Sequence, residues 1–240
     1  MNNKIDILAF GAHPDDVELS AAGTLLKHIS QGKKVVIVDL TQGELGSRGT
    51  IETRYEEANA ASQIIGLEDR VNLKMEDGFF THSQENLMKI VEQIRRFKPE
   101  IVLANAIEDR HPDHAKGSKL VSDACFLAGL VKVKTEFEGI QQIAHRPKVV
   151  YHYIQDRYIK PDFVIDVTDF VEQKFESVMA YKTQFYDPNS NEPQTPISGQ
   201  DFLDFLRGRM SGFGRSIGVR YAEGFTTERI VGVESFFDLV

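Results

Sequence analysis

The sequence predicts one α/β domain, a Rossmann-like three-layer fold with a mostly parallel sheet, and three observations predict it. Short β-rich apolar runs alternate with amphipathic stretches through the first half of the chain. Those runs are almost continuously apolar, as strands buried on both faces are. At 240 residues the chain suits one continuous core, and no repeat or low-complexity block divides it, so 1–240 reads as a single domain.

The elements follow in order. IDILAF, residues 5–10, is a buried strand that ends at Gly11. From Glu18 to Gln31, Leu19, Ala22, Leu25, Leu26 and Ile29 recur at spacings of three and four, and Gly32 is a C-terminal stop, so a helix is expected. Lys34 to Leu40 is the second strand, which completes a β-α-β unit with a right-handed crossover. A helix from Ile51 to Ile65, a weak strand at Val71 to Met75, a helix from Gln84 to Phe97 and a strand at Ile101 to Ala104 continue the alternation. Another helix runs from Asp113 to about Leu127, followed by two β-rich runs, Val149 to Ile154 and Phe163 to Val167. Thr168 is expected to cap a helix through Tyr181 with Glu172 and Lys174 on its polar side. Asp187 to Gly199 packs three prolines with Asn, Ser and Gly and reads as a long surface loop able to serve as a lid. The apolar stretch Ile230 to Phe237 reads as a last strand.

Composition removes several function classes. The formal charge of −8 opposes a nucleic-acid partner, because phosphate-backbone binding draws on clustered Lys and Arg. One cysteine, Cys125, makes no internal disulfide, and the opening MNNKIDILAF has neither a basic region nor a cleavage site. A reducing, cytoplasmic location is expected. No apolar run approaches the roughly 20 residues a membrane span needs, so no membrane partner is expected either.

In open α/β sheets, ligands bind beyond the carboxyl ends of the strands. Two loops there are chemically loaded. The first, from Gly11 to Glu18, carries His13, Pro14, Asp15 and Asp16; His13 and Asp16 stand three apart at a helix start and can share a metal. Asp15 between them points elsewhere, which is a general-base position facing a metal-bound water. The second loop, Asn105 to His114, repeats His-Pro-Asp, and its His111 and His114 offer a further ligand plus one more imidazole. A lone His-Pro-Asp is ordinarily a turn with a capping aspartate. Two of them after two strands of one sheet suit a hydrolytic metal centre, with three protein ligands and a fourth position for water. His28, His82, His145, His152 and Cys125 lack neighbours at ligand spacing and read as ordinary surface or core residues.

A third loop, Thr41 to Thr50, carries three glycines and precedes Arg54. Arg54 suits a sugar hydroxyl or a carboxylate, or else an ion pair with Glu56 or Glu57 on its own helix. Neither G-x-G-x-x-G nor a P-loop pattern follows any strand, which disfavours nucleotide binding.

With A-H-P-D-D-x-E near the start and H-P-D-H about a hundred residues on, the chain resembles the LmbE-like or PIG-L deacetylase superfamily. Thr41 to Glu44, Thr53 to Ala58 and Arg220 to Phe225 look like further blocks of it, so the resemblance spans the chain. Within the superfamily it is most similar to the bacillithiol-pathway branch, which removes acetate from N-acetylglucosaminyl malate. The resemblance implies one Zn2+ per chain, with Fe2+ or another divalent ion as the alternative, held by His13, Asp16 and His114. It implies Asp15 as the base, His111 as a cation stabilising the oxyanion, and Asp113 bonded to His111 and raising its pKa. Arg54 would contact substrate, Arg110 would help at the crevice edge toward a malate carboxylate, and a homo-oligomer is expected. The partner is then a small amino sugar, its choice set by loops 105–110 and 183–199. Other N-acetyl sugars, such as a chitin fragment, and a non-catalytic metal-dependent sugar-binding protein are the competing readings.

Overall fold

A computed structural model describes residues 4–239. Eight elements alternate first: β1 (Ile7–Gly11), α1 (Asp16–Ser30), β2 (Val35–Thr41), α2 (Ile51–Ile65), β3 (Asp69–Met75), α3 (Gln84–Phe97), β4 (Ile101–Ala104) and α4 (Pro112–Ala128). A small hairpin, β5 (Glu136–Phe137) with β6 (Ile140–Gln141), precedes β7 (Val149–Tyr153), β8 (Phe163–Asp166), α5 (Val171–Met179), α6 (Gln200–Ser216) and β9 (Ala222–Thr227). The main sheet has seven strands in the order β3-β2-β1-β4-β7-β9-β8. Its first five are mutually parallel, and β9 runs antiparallel to both β7 and β8.

The near-continuous apolar runs have a direct structural cause. Leu8 and Phe10 of β1 pack with Val36, Val38 and Leu40 of β2 against α3 and α4. The intervening Ile7, Ala9, Val35 and Ile37 pack against α1 on the opposite face. Because side chains alternate across a strand, two covered faces demand apolar residues at successive positions. A third cluster lies beside the second layer, where Phe175 and Val178 of α5 meet Phe202 and Leu206 of α6.

Local chemistry sets the helix starts. Thr50 caps α2 reciprocally with Thr53, Ser83 caps α3, and Pro112 occupies the first turn of α4, where its missing N–H costs nothing. Among the described residues no helix is long and apolar enough to cross a membrane.

Four expectations need correction. Helix α6 and strand β9 lie where no element was expected. Thr168 does not cap α5: it lies in a short 3-10 turn, Thr168–Phe170, and its hydroxyl accepts from the backbone N–H of Tyr221 at 3.2 Å. Lys174 is not on a polar face, since it is fully buried and paired with Glu223 at 2.6 Å. Ile230 to Phe237 is not a strand: past Thr227 the chain leaves the sheet, pairs with neither outer strand, β3 or β8, and leaves Ile230, Phe236 and Phe237 exposed.

Candidate metal and active site

The strand order reverses between β1 and β4: β2 and β3 lie on one side, β7 on the other. Beyond that reversal the connections diverge and leave a crevice at the carboxyl ends of the two strands. The two His-Pro-Asp loops follow β1 and β4, whose registers run side by side from Ile7 opposite Ile101 to Ala9 opposite Leu103. A cleft of about 230 Å³ opens there, lined by His13, Asp15, Asp16, His111 and His114 among others.

The first loop is a tight turn. The backbone N–H of His13 donates to Asp16 Oδ2 at 2.9 Å. A Cβ on Gly11 would meet the carbonyl oxygen of His13 at 2.9 Å, so the turn closes only over a glycine. Asp15 occupies the N-cap position of α1 at φ 114, yet its carboxylate caps nothing. In a non-glycine residue this left-handed conformation is strained and persists only where the surroundings enforce it. Here it turns a buried carboxylate toward the cleft, 3.5 Å from Arg54 Nη2. Burial pushes the Asp15 pKa up to about 7; Arg54 opposes the rise and the adjacent Asp16 adds to it.

Asp16 is the hub. Its Oδ2 also accepts from Asn105 Nδ2 at 2.9 Å, and its Oδ1 from Gln155 Nε2 at 3.0 Å. The Gln155 amide is oriented by its own acceptor, since Oε1 receives Asn105 Nδ2 at 3.0 Å and the backbone N–H of Ala106 at 3.1 Å. Two imidazoles face the same carboxylate: His13 Nδ1 lies 3.6 Å from Oδ2 and His114 Nε2 lies 3.1 Å from Oδ1. Each ring meets another carboxylate at its far nitrogen. His13 Nε2 is 3.0 Å from Asp77 Oδ1, and His114 Nδ1 is 2.5 Å from Asp109 Oδ2. A proton on each far nitrogen leaves the lone pairs of His13 Nδ1 and His114 Nε2 directed at the space beside Asp16.

These residues fit a divalent ion. His13 Nδ1 lies 3.6 Å from one oxygen of Asp16 and His114 Nε2 3.1 Å from the other, each close to the roughly 3.3 Å between neighbouring ligand atoms around tetrahedral zinc, so both carboxylate oxygens face the ion's position. His111 stands close by, and one nitrogen each of His13, His111 and His114 lies within 4.8 Å of the others. A second group, His13 with Asp77 and Asp113, involves the far nitrogen of His13 and reads as its support. The structure thus brings His13, Asp15, Asp16, His111, Asp113 and His114 together.

The arrangement around His111 differs from the one the resemblance implies. The Asp113 carboxylate turns away from His111: Oδ2 accepts from the N–H of Gly78 at 2.7 Å and lies 3.5 Å from His13, while Lys116 Nζ is 2.5 Å from Oδ1. What reaches His111 Nδ1 is the backbone N–H of Asp113, at 3.3 Å. Burial lowers the His111 pKa, and protonation of the neighbouring His13 or His114 would lower it further. His111 is therefore a neutral ring with its proton on Nε2, available as a hydrogen-bond donor.

The two arginines are both at the cleft. Arg54 is buried and donates to the carbonyl of Pro14 at 2.9 Å; its partner is Asp15, whereas Glu57 is taken by Thr183 at 2.6 Å. Arg110 lies at the rim with Nε 2.6 Å from Asp156. Glu18, also in the first loop, serves the core instead, 2.5 Å from Arg70 and 3.0 Å from the hydroxyl of Tyr181.

Asp77, Asp109, Asn105 and Gln155 were not singled out from sequence. Asp77 and Gln155 sit just past the carboxyl ends of β3 and β7, and position alone nominates them. Asn105 and Asp109 lie inside the second loop, overshadowed by its histidines.

The fold and the cluster define an α/β domain with a histidine and carboxylate centre, able to hold a metal, at its switch point. The GlcNAc-PI de-N-acetylase (PIG-L) family profile matches residues 8–125. A solved structure of a conserved protein from Thermus thermophilus superposes with a TM-score of 0.85 at 34% identity, covering 96% of this chain and 98% of that one. Diacetylchitobiose deacetylase of Thermococcus kodakarensis is 29% identical over 93% of this chain and 83% of its own length. The probable N-acetyl-alpha-D-glucosaminyl L-malate deacetylase 2 of Bacillus anthracis is 23% identical over 77% of this chain and 84% of its own. The chain belongs to the PIG-L, or LmbE-like, deacetylase family.

Proposed function

We propose that this protein is a metal-dependent deacetylase of a small N-acetylglucosamine derivative, with N-acetylglucosaminyl malate of bacillithiol biosynthesis as its substrate. The observation that carries the hydrolytic reading is Asp15. A buried carboxylate that caps no helix and is held in a strained conformation at a metal-capable cluster has no use in a protein that merely binds sugar. The Bacillus anthracis relative supports the malate conjugate, and the Thermococcus relative supports a chitin disaccharide as the second reading.

His13, Asp16 and His114 would hold the ion, zinc by the donor set, with Fe2+ accepted by the same atoms. When bound, it supplies positive charge that polarises the amide carbonyl and acidifies water. Asp15 takes the proton of the attacking water, whose oxygen bonds to the carbonyl carbon. Nε2–H of His111 donates to the oxygen that gains charge, as a neutral donor already in place. Asp15 then returns its proton to the sugar nitrogen, the C–N bond breaks as the carbonyl re-forms, and the free amine leaves with acetic acid, which gives its proton to solvent and becomes acetate. The imidazoles of His13 and His114 outweigh burial and keep Asp16 ionised, while the amides of Asn105 and Gln155 orient its carboxylate.

The test is acetate release by the metal-loaded protein from N-acetylglucosaminyl malate, beside N-acetylglucosamine and diacetylchitobiose, with and without chelator. Preference for the malate conjugate, abolished by chelation, is expected. Preference for diacetylchitobiose moves the substrate to the second reading. No acetate from any of them, with metal bound, refutes the deacetylase.

A further inference from the structure

Three arginines line the cleft, and two are already paired with carboxylates: Arg54 with Asp15 at 3.5 Å and Arg110 with Asp156 at 2.6 Å. Arg209, on the inner side of α6, is not. Its Nη2 donates to the carbonyl of Leu19 at 3.1 Å and its Nη1 to the carbonyl of Gln155. Both acceptors are neutral, and among the described residues Arg209 makes no ion pair.

The carboxylates whose fields reach it are each committed elsewhere. Glu223 lies 2.6 Å from Lys174, Asp156 is held by Arg110, and Asp109 meets His114 at 2.5 Å and the N–H of Arg157 at 2.7 Å. Burial lowers the Arg209 pKa to about 10, which leaves the group a cation at neutral pH. Two carbonyls hold two of its five N–H groups and fix its plane, so the remainder of the fork is free for a ligand. The cleft wall around it is apolar, with Leu19, Phe202 and Leu206, and screens its charge less than water would. Gln155 ties this charge to the reaction centre: its carbonyl receives Arg209 while its amide donates to Asp16 at 3.0 Å. The cation therefore lines the same cleft as the metal-capable cluster, with Gln155 between the two, so a substituent on an amino sugar bound there can meet it.

We infer that Arg209 receives an anionic substituent, a carboxylate or a phosphate, carried by the amino sugar, and thereby selects acidic glycosides over neutral ones. This rests on the deacetylase reading above and moves the recognition of substrate charge from Arg110, already neutralised by Asp156, to α6. A bidentate carboxylate or phosphate on a desolvated guanidinium contributes about 10- to 100-fold in affinity over an uncharged group.

The experiment compares kcat/KM of the metal-loaded protein for three substrates: N-acetylglucosaminyl malate, N-acetylglucosamine 1-phosphate and neutral methyl N-acetylglucosaminide. The quantity read is the acidic-to-neutral ratio within each protein. In the wild type that ratio is expected to exceed about 10 and to fall with added salt. In Arg209→Gln it is expected to collapse toward one, and Arg209→Lys to fall between. A wild-type ratio near one, or a ratio unchanged in Arg209→Gln, overturns the assignment. Which acidic substrate keeps the higher ratio distinguishes carboxylate from phosphate. If Arg209→Gln does not fold, the wild-type ratio with its salt dependence and Arg209→Lys decide. Should no substrate release acetate, the deacetylase reading fails on its own. Calorimetric binding of glucosaminyl malate to wild type and Arg209→Lys then tests Arg209 alone, and equal affinity in the two overturns it.

Discussion

Asp77 Oδ1 lies 3.0 Å from Nε2 of His13, on the ring edge opposite the one that faces Asp16. The carboxylate is itself anchored, because Oδ2 accepts from the N–H of Leu45 at 3.0 Å. This pairing fixes which His13 nitrogen carries the proton and which offers a lone pair. Asp77→Ala is expected to weaken metal binding about 10- to 100-fold, as loss of an orienting carboxylate does. Asp77→Asn keeps an acceptor for His13 and is expected to lose less. Competition with a chelating dye measures both, and wild-type affinity in the alanine variant would remove Asp77 from the site.

Asp15→Asn separates chemistry from metal binding. Metal content is expected to stay at the wild-type level while turnover falls by about 100-fold or more. The same substitution carries a stability signature. The folded-state pKa of Asp15 is raised to about 7, so the carboxyl contributes most when protonated, at low pH, and its contribution is lost as pH rises through that value. Metal-free Asp15→Asn should therefore melt above the wild type at pH 8, with the gap narrowing below about pH 7 and closing only at about pH 4, the unfolded carboxyl's own range. Asparagine accepts the left-handed backbone about as well as aspartate, so the strain cancels in the comparison. A gap independent of pH would contradict the burial argument.

Much of this site was legible because its chemistry is local. His13 with Asp16, and His111 with His114, fall within single turns, and the strand-loop-helix alternation places both turns at one sheet edge. What stayed hidden was set by distant partners. Asp77 and Gln155 acquire roles only through the order of β3 and β7 in the sheet, which spacing along the chain does not encode. Lys174 looked solvated because a lysine on an amphipathic helix ordinarily is; its partner Glu223 stands 49 positions later, on a strand that periodicity did not reveal. Strand β9, AEGFTT, has two small residues among six and little apolar alternation, yet five of the six are buried. His111 shows the limit of a carried-over role, since the orientation of Asp113 depends on Gly78 and Lys116, contacts that the H-P-D-H motif does not specify.

Cys125 is buried on α4, and burial, with a smaller contribution from Glu228, pushes its thiol well above the ordinary range. At pH 8 the thiolate that alkylating reagents need is scarce and inaccessible. Iodoacetamide is expected to label the native protein at least about 100-fold more slowly than the urea-unfolded chain, for access reasons alone. Mass spectrometry after timed quenching measures it, and comparable rates in the two states would place Cys125 at the surface.

Glu223 links β9, the sheet's last strand along the chain, to the helix that carries Asp16. Its carboxylate accepts from the backbone N–H groups of Gly23 at 3.0 Å and Thr24 at 2.7 Å in α1, and pairs with Lys174 of α5 at 2.6 Å. A Cβ on Gly23 would stand 2.9 Å from Val167 Cβ, so only glycine lets the elements approach this closely. Lys174→Met leaves the carboxylate buried with backbone donors alone and is expected to cost about 3–5 kcal/mol in urea unfolding. Adding Glu223→Gln removes the uncompensated charge while keeping an acceptor for one N–H. The double variant should therefore recover part of the loss, and the interaction read from the cycle should be clearly non-zero. Because Lys174 Nζ and Arg209 Nη2 both donate to the carbonyl of Leu19, at 3.0 and 3.1 Å, the single variant should also disturb the cleft wall and weaken metal binding at Asp16, one turn away. Additive losses in the cycle, with metal affinity unchanged, would mean that α1 is held by its apolar face alone.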